Sequence, residues 1–214
     1  MIKKKDGEYI IHITHTDLRN DWRIRKEMKA CYQGLNKKIN VLGLGIKDEA
    51  FKVSSFNDGF EFHNYVPLIK RSLNFPKSLR LAINLIGFYF YVLSTLSKKS
   101  IRIIHVHDTA VLPLGWIIKK KYKTKLIYDA HELESKKNGQ SEIFSLITFI
   151  FEKIFWSSID HLITVSNSIS EWYVNKFGYK PNTIILNSPP LENIDTSDNI
   201  EYTPREFCNI PDEE

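Results

Sequence analysis

Tyr128-Asp129-Ala130-His131-Glu132 puts an ionisable histidine directly after an apolar run, Lys125 to Asp129. An imidazole there can exchange a proton with a substrate hydroxyl, or hydrogen-bond it, near pH 7. Fixing the loop is the competing role, and spacing alone supports both. Glu132 either orients the ring or caps a turn. His105-Val106-His107-Asp108 raises a second chemistry. Alternation along a strand puts His105 and His107 on one side, as a metal pair would be. Catalytic zinc takes three protein ligands, and no further His or Cys cluster stands close by in sequence. His105 therefore reads as a sheet residue, and His107-Asp108 as part of a loop rim. Arg19, Arg23 and Arg25 surround a helix start. Converging on its positive N-terminus they would bind an anion; spacing favours a solvated face paired with Asp17, Asp21 and Glu27. Ser166 lies in Thr-Val-Ser-Asn-Ser and reads as a helix cap. No G-x-S-x-G elbow is present, which disfavours a serine hydrolase. Neither a G-x-G-x-x-G fingerprint nor a P-loop occurs, and Gly43-Leu44-Gly45 opens no helix.

These clusters share one feature: each follows an apolar run. The runs Tyr9 to Thr14, Val41 to Leu44, Ile101 to Val106, Lys125 to Asp129, His161 to Val165 and Thr183 to Leu186 read as strands. Between them, helical spacing predicts helices starting after Asp21 and over Ser78 to Ser97, Thr109 to Lys121, Glu142 to Ser157 and Ser168 to Phe177. Gly178 fits the position after the last helix. Phe51 to Pro67 is ambiguous between short strands and an irregular excursion. Strands alternating with such helices imply βαβ units, so the expected fold is α/β, a Rossmann-like doubly wound parallel sheet. In such sheets ligands bind at the carboxyl ends of the strands. His15, Asp17, Arg19, His107, Asp108, Asp129, His131, Glu132, Ser166, Asn167, Asn187 and Ser188 would all gather there.

Hydrophobic residues at 43% and charged residues at 26% match a globular chain and exclude a disordered or fibrous one. Two cysteines, Cys31 and Cys208, build neither a disulfide framework nor a four-cysteine zinc site. A net charge of +5 is too small to indicate nucleic-acid binding and is equally compatible with an anionic membrane surface. Met1 to Asp6 is basic, yet Gly7 and Glu8 follow instead of an apolar stretch, so no signal peptide is expected. Leu81 to Leu96 is apolar but, at 16 residues, shorter than the roughly 20 that a bilayer span needs. A buried or interfacial helix is the expectation. The 142–157 helix carries a very wide apolar face, read first as packing within the domain and against a partner, and second as membrane contact.

The order of four stretches resembles the N-terminal Rossmann-like domain of GT-B glycosyltransferases, specifically glycosyltransferase family 4. They are His12 to Arg23 with Lys26-Glu27; Ile104 to Asp108 followed by Leu112-Pro-Leu-Gly115; Leu126 to Glu132; and Ile159 to Ser166. The resemblance covers roughly residues 8–190, and it is the order and spacing that make it specific. One departure stands at Asn187-Ser-Pro-Pro, where the family often has a Pro-Asn-Gly turn. The resemblance implies two Rossmann-like domains facing a cleft, the first binding the acceptor and the second a nucleotide-sugar. It implies retention of anomeric configuration, the nucleotide-sugar as co-substrate, and neither a metal ion nor another cofactor. His131 is then the catalytic residue. Asp17 and Arg19 approach donor phosphates and acceptor, and His107 and Asp108 stand at the cleft rim. Glu132, Ser166 and Asn187 complete the expected substrate-binding set.

In the family an E-x7-E-type donor motif lies in a second domain, and no counterpart of that domain is read in this sequence. Residues 1–190 are thus expected to form the acceptor-side domain, and 191–214 a linker toward a C-terminal donor-binding domain, supplied in cis or in trans. Alone, the chain should have little transferase activity. The expected partners are a nucleotide-sugar, a saccharide or lipid-linked acceptor and a membrane surface, but no nucleic acid. The expected setting is cell-envelope or exopolysaccharide synthesis, in the cytoplasm or at the inner face of the plasma membrane. Acceptor choice would depend on loops such as 47–75. Two alternatives stay open: a non-catalytic subunit that recruits a donor-binding chain, and half of a sugar-nucleotide epimerase.

Overall fold

The computed structural model of the chain describes residues 7–35, 39–47, 52–53, 60–69, 75–136 and 141–187. The 191–214 linker, Cys208, Ser188 and much of the 47–75 loop lie outside the described residues.

Among the described residues eight strands form one sheet: β1 (Glu8–Ile13), β2 (Asn40–Ile46), β3 (Lys52–Val53), β4 (Glu61–Tyr65), β5 (Ser100–His107), β6 (Lys125–Ala130), β7 (His161–Thr164) and β8 (Asn182–Ile184). Their order is β3-β4-β2-β1-β5-β6-β7-β8. Every pairing is parallel except β3 with β4 at the edge. The ambiguous 51–67 stretch thus supplies two strands. Phe62 and Asn64 of β4 are buried while Glu61, His63 and Tyr65 are not, an alternation natural to a strand near a sheet edge.

Among the described residues the α-helices are α1 (Trp22–Gly34), α2 (Lys77–Leu96), α3 (Leu112–Tyr122), α4 (Glu142–Phe155) and α5 (Asn167–Phe177). Asp21 caps α1 by accepting from the Ile24 N–H, and Ser166 caps α5 by accepting from Ile169. The 109–121 helix differs from expectation at its start. A 3₁₀ turn, Thr109–Val111, precedes α3, whose first turn accommodates Pro113.

The two sheet faces are unlike. On one, Ile11, Ile13, Leu42, Leu44, Ile104, Val106, Leu126 and Tyr128 pack against Phe88, Val92 and Leu96 of α2, Leu114 and Ile118 of α3, and Tyr173 of α5. The apolar stretch that the sequence reads as 16 residues lies in α2, which at 20 residues is long and apolar enough to cross a membrane by length and composition; it lays Phe88, Val92 and Leu96 on the core and leaves Leu79, Leu81, Ile86 and Phe90 exposed. On the other face α1 packs Ile24 and Met28 against Val41, Phe60 and Phe62. Gly43 and Gly45 make that approach possible. A methyl on Gly43 would lie 2.9 Å from Leu18 and Met28 side-chain atoms; on Gly45 it would lie 2.6 Å from Asn64 Oδ1 and the Thr16 carbonyl oxygen. The glycines serve packing, not phosphate binding. Beside this patch the α1 side of the sheet turns polar, carrying His12, His105, His107 and Asp129.

Candidate active site

Asp129, near the end of β6, is fully buried. Its Oδ1 accepts from the Arg23 guanidinium at 2.8 Å. Its Oδ2 lies 3.2 Å from His107 Nδ1 and 3.1 Å from His131 Nε2. Both ring nitrogens face the same carboxylate oxygen, so each donates to it. His107 Nε2 in turn lies 3.1 Å from His12 Nδ1. Arg23 reaches across α1 to Glu27 Oε1 at 3.2 Å, and His105 Nε2 stands 3.8 Å from Glu27 Oε2. Parallel pairing aligns His12 with His105 and His107 with Asp129, so neighbouring strands place the cluster under α1.

The electrostatics follow from burial and pairing. Burial pushes the Asp129 carboxyl up, but the hydrogen bonds from His107 and His131 outweigh it and hold Asp129 far below the usual carboxylate range. Burial, with Asp129 nearby, raises Glu27 to about 6. Burial first, and His107 second, keep His12 and His105 well below the ordinary histidine value, hence neutral at pH 7. His131 is opposed by burial, yet its bond to Asp129 and the charges of Asp129 and Asp108 raise it. With Nε2–H committed to Asp129, His131 keeps Nδ1 for another partner.

His131 lines an open cleft of about 390 Å³ at the carboxyl edge of the sheet. Thr16 and Asp17 from the loop after β1, Asp21, Trp22 and Arg23 from the start of α1, and Asn187 after β8 complete the wall. The backbone next to it is strained. Asp108 has φ 72° and ψ 156°, a combination that only glycine visits readily. Its N–H donates to the Asp129 carbonyl oxygen at 3.2 Å, and its carboxylate pairs with His15 at 3.1 Å.

Of the expected site residues, His131, Asp17 and Asn187 meet at this cleft. Asp17 is held by Arg19 at 3.0 Å, Asn64 at 2.7 Å and Lys47 at 3.4 Å. Arg19 folds back on Asp17, as the paired-face reading has it. Arg23 corrects that reading: it is buried, because Asp129 and Glu27 neutralise it there. His107 and Asp108 are likewise buried below the cleft, not on a rim. Glu132 is exposed, and the carboxylate that orients His131 is Asp129, two residues earlier. Ser166 is spent on capping α5. Sequence spacing pairs Glu27 with the arginines only on a solvated face, places Asp129 only among the strand-end polar residues and gives no role to His12; the i,i+4 pair Arg23–Glu27 was the available signal. It also missed a second polar cluster, in which Glu152 Oε1 accepts from the hydroxyls of Tyr173 at 2.5 Å and Tyr128 at 2.9 Å.

The solved structures that resemble the chain are glycosyltransferases of GT-B fold. Sucrose-phosphate synthase from Thermosynechococcus elongatus matches with TM-score 0.66 and 13% identity, over 84% of this chain and 48% of that one. HepE from Anabaena, in complex with UDP and glucose, matches with TM-score 0.55 and 14% identity, over 85% and 44%. The lipopolysaccharide outer core galactosyltransferase WaaB matches with TM-score 0.53 and 14% identity, over 86% and 47%. The chain thus spans about half the length of these structures, and at such identities the likeness establishes the fold. No curated protein matches by sequence. A sequence profile does: Glycosyltransferase Family 4 matches residues 48–190, two thirds of the chain, including His131 and the strands that flank it. The chain belongs to glycosyltransferase family 4.

Proposed function

We propose that this chain is the acceptor-binding half of a retaining, nucleotide-sugar-dependent glycosyltransferase. The observation that carries this reading is His131 in the wall of a polar cleft at the carboxyl edge of the sheet, its ring held from below by the buried Asp129. HepE is in complex with UDP and glucose, and another likeness, UGT89C1 of Arabidopsis thaliana, with UDP-L-rhamnose. A nucleotide-sugar is accordingly the donor class. In the reaction, the anomeric carbon passes from a donor phosphate oxygen to an acceptor hydroxyl oxygen. His131 Nδ1 hydrogen-bonds a hydroxyl of the sugar or acceptor, its ring held by Asp129. Asp17 and Asn187 bind hydroxyls along the cleft, and the half-exposed Trp22 offers an apolar face to a sugar ring. His107 and Asp108 support this wall from below. A donor-binding domain, in cis or in trans, supplies the opposite wall, and no metal is needed at the donor phosphates.

The setting is cell-envelope or exopolysaccharide synthesis at the cytoplasmic face of the membrane. WaaB is a lipopolysaccharide galactosyltransferase, and α4 turns a broad apolar face outward. The test starts from the native polypeptide in its source cell. A band about twice this chain's mass gives the donor domain in cis, as two domains of similar size require; a band at its own mass sends the search to a partner chain. The complete enzyme is then assayed for transfer from nucleotide-sugars. His131→Ala should lower turnover about 10²–10⁴-fold with circular dichroism unchanged. Unchanged turnover removes His131 from the site, and nucleotide release without any acceptor favours the epimerase alternative.

A further inference from the structure

Beneath the cleft, His12 from β1, Glu27 from α1 and His105 and His107 from β5 bring four ligand-capable atoms within 4.8 Å of one another. All four residues are at least nine-tenths buried. Two of the polar atoms that face one another here, His105 Nε2 and Glu27 Oε2, are buried and make no hydrogen bond among the described residues. Proteins rarely leave one such atom unsatisfied, let alone two in one cluster. Sequence spacing offers only the His105–His107 pair; the fold adds a third histidine and a carboxylate from other elements.

We propose that His12, Glu27, His105 and His107 form a binding site for one divalent transition-metal ion of the Zn²⁺ class. Imidazole nitrogen with one carboxylate oxygen suits that class. A tetrahedral ion with bonds of about 2.0–2.1 Å has ligand–ligand edges of roughly 3.3 Å. Two edges of the cluster bracket this value: His12 Nδ1 to His107 Nε2 at 3.1 Å, and His105 Nε2 to Glu27 Oε2 at 3.8 Å. The outer contacts are those of a metal site. His107 directs Nδ1 to the Asp129 carboxylate, which leaves Nε2 for the ion, and Arg23 fixes the other Glu27 oxygen at 3.2 Å. Two carboxylates, Glu27 and Asp129, face the one guanidinium of Arg23, which leaves the pocket with a net negative charge that attracts a cation. The ion touches no substrate. It fixes His107, and through the shared Asp129 oxygen it fixes His131, so it is a positioning element for the cleft.

The full chain is stripped with a chelator in denaturant and refolded with Zn²⁺ or Co²⁺, so that burial does not block entry; the metal content of the chain as purified is read in parallel. Zn²⁺ should bind at one per chain, and Co²⁺ should give the strong visible absorption of a four-coordinate nitrogen and oxygen site. X-ray absorption should count at least two imidazoles. Asp129→Asn should weaken Zn²⁺ about 10–100-fold, His105→Gln should weaken it further, and His161→Gln, outside the cluster, should leave it unchanged. No stoichiometric binding, a weak octahedral Co²⁺ spectrum, fewer than two imidazoles, or full affinity in folded His105→Gln would each overturn the site. The spectra of the unsubstituted chain decide the matter if His105→Gln does not fold.

Discussion

Asp129 accepts from Arg23, His107 and His131 at a position with no solvent exposure. Its replacement by asparagine removes the counter-charge from a buried guanidinium. Deleting one partner of a buried ion pair typically costs about 3–5 kcal/mol, and Asp129→Asn should lose that much in urea unfolding; a loss below about 1 kcal/mol would show that solvent or Glu27 compensates Arg23. At this scale the sequence was half legible. His131 stands out in the sequence because it directly follows an apolar strand, although spacing alone supports a loop-fixing role equally. Asp129, two residues earlier, is placed by the sequence at a strand end among the polar residues but given no partner, and Arg23 on a solvated face, because local charge spacing reports only neighbours on one helix. The pairing of Arg23 with Asp129 spans 106 residues in sequence, and no local pattern encodes it.

At the level of elements, strand and helix positions were legible to within one or two residues wherever apolar periodicity ran unbroken, as in β6 and α5. It failed where the pattern is short: the two residues of β3 carry no period. Two predictions belong to this scale. Gly115 of α3 faces the sheet so closely that a methyl there would lie 2.6 Å from Val106 and 2.8 Å from Leu126 side-chain atoms. Gly115→Ala should therefore destabilise by about 1–3 kcal/mol, the range for overpacking; calorimetry reads it, and an unchanged melting temperature means the helix shifts freely. At the opposite end of the sheet Asp160 ties β6 to α3 and β7. Its Oδ2 accepts from the Leu126 N–H at 2.8 Å and from Lys119 at 2.5 Å. Burial raises its carboxyl, but the Lys119 and Leu126 bonds prevail and hold it below the ordinary 3.8. A depressed folded-state value means stability fully present above 3.8 and lost as pH falls through the folded value. The stability difference between the chain and Asp160→Asn should be flat near neutrality and shrink only below about pH 4. A difference that persists unchanged into stronger acid would show that Asp160 acts by shape, not charge.

Across the whole molecule, α4 is built inside out. Its one fully buried residue is Glu152, anchored by the Tyr128 and Tyr173 hydroxyls, while Ile143 is 72% exposed, Leu146 59% and Ile154 60%. The sequence shows a wide apolar stripe, and an apolar stripe ordinarily marks the core-facing side of a helix; of the first reading, packing within the domain and against a partner, the buried glutamate overturns the packing within this domain and leaves the partner. Where α4 runs into the turn before β7, a basic pocket follows, lined by Lys119, Lys120, Lys123 and Lys125. An apolar face beside clustered lysines is the combination that binds an anionic bilayer surface. The chain should co-sediment with phosphatidylglycerol vesicles, less so as salt screens the lysines. Burying one such side chain contributes roughly 1.5–3 kcal/mol. Ile143→Ser with Leu146→Ser should thus cost at least about 3 kcal/mol of partitioning, on the order of 100-fold. Both residues are exposed, so the fold should be unaffected, and thermal unfolding verifies it. If the double variant partitions as the parent does, the lysines alone hold the membrane; if neither binds, the face belongs to another protein surface, and the variant should instead weaken assembly with the donor-binding half.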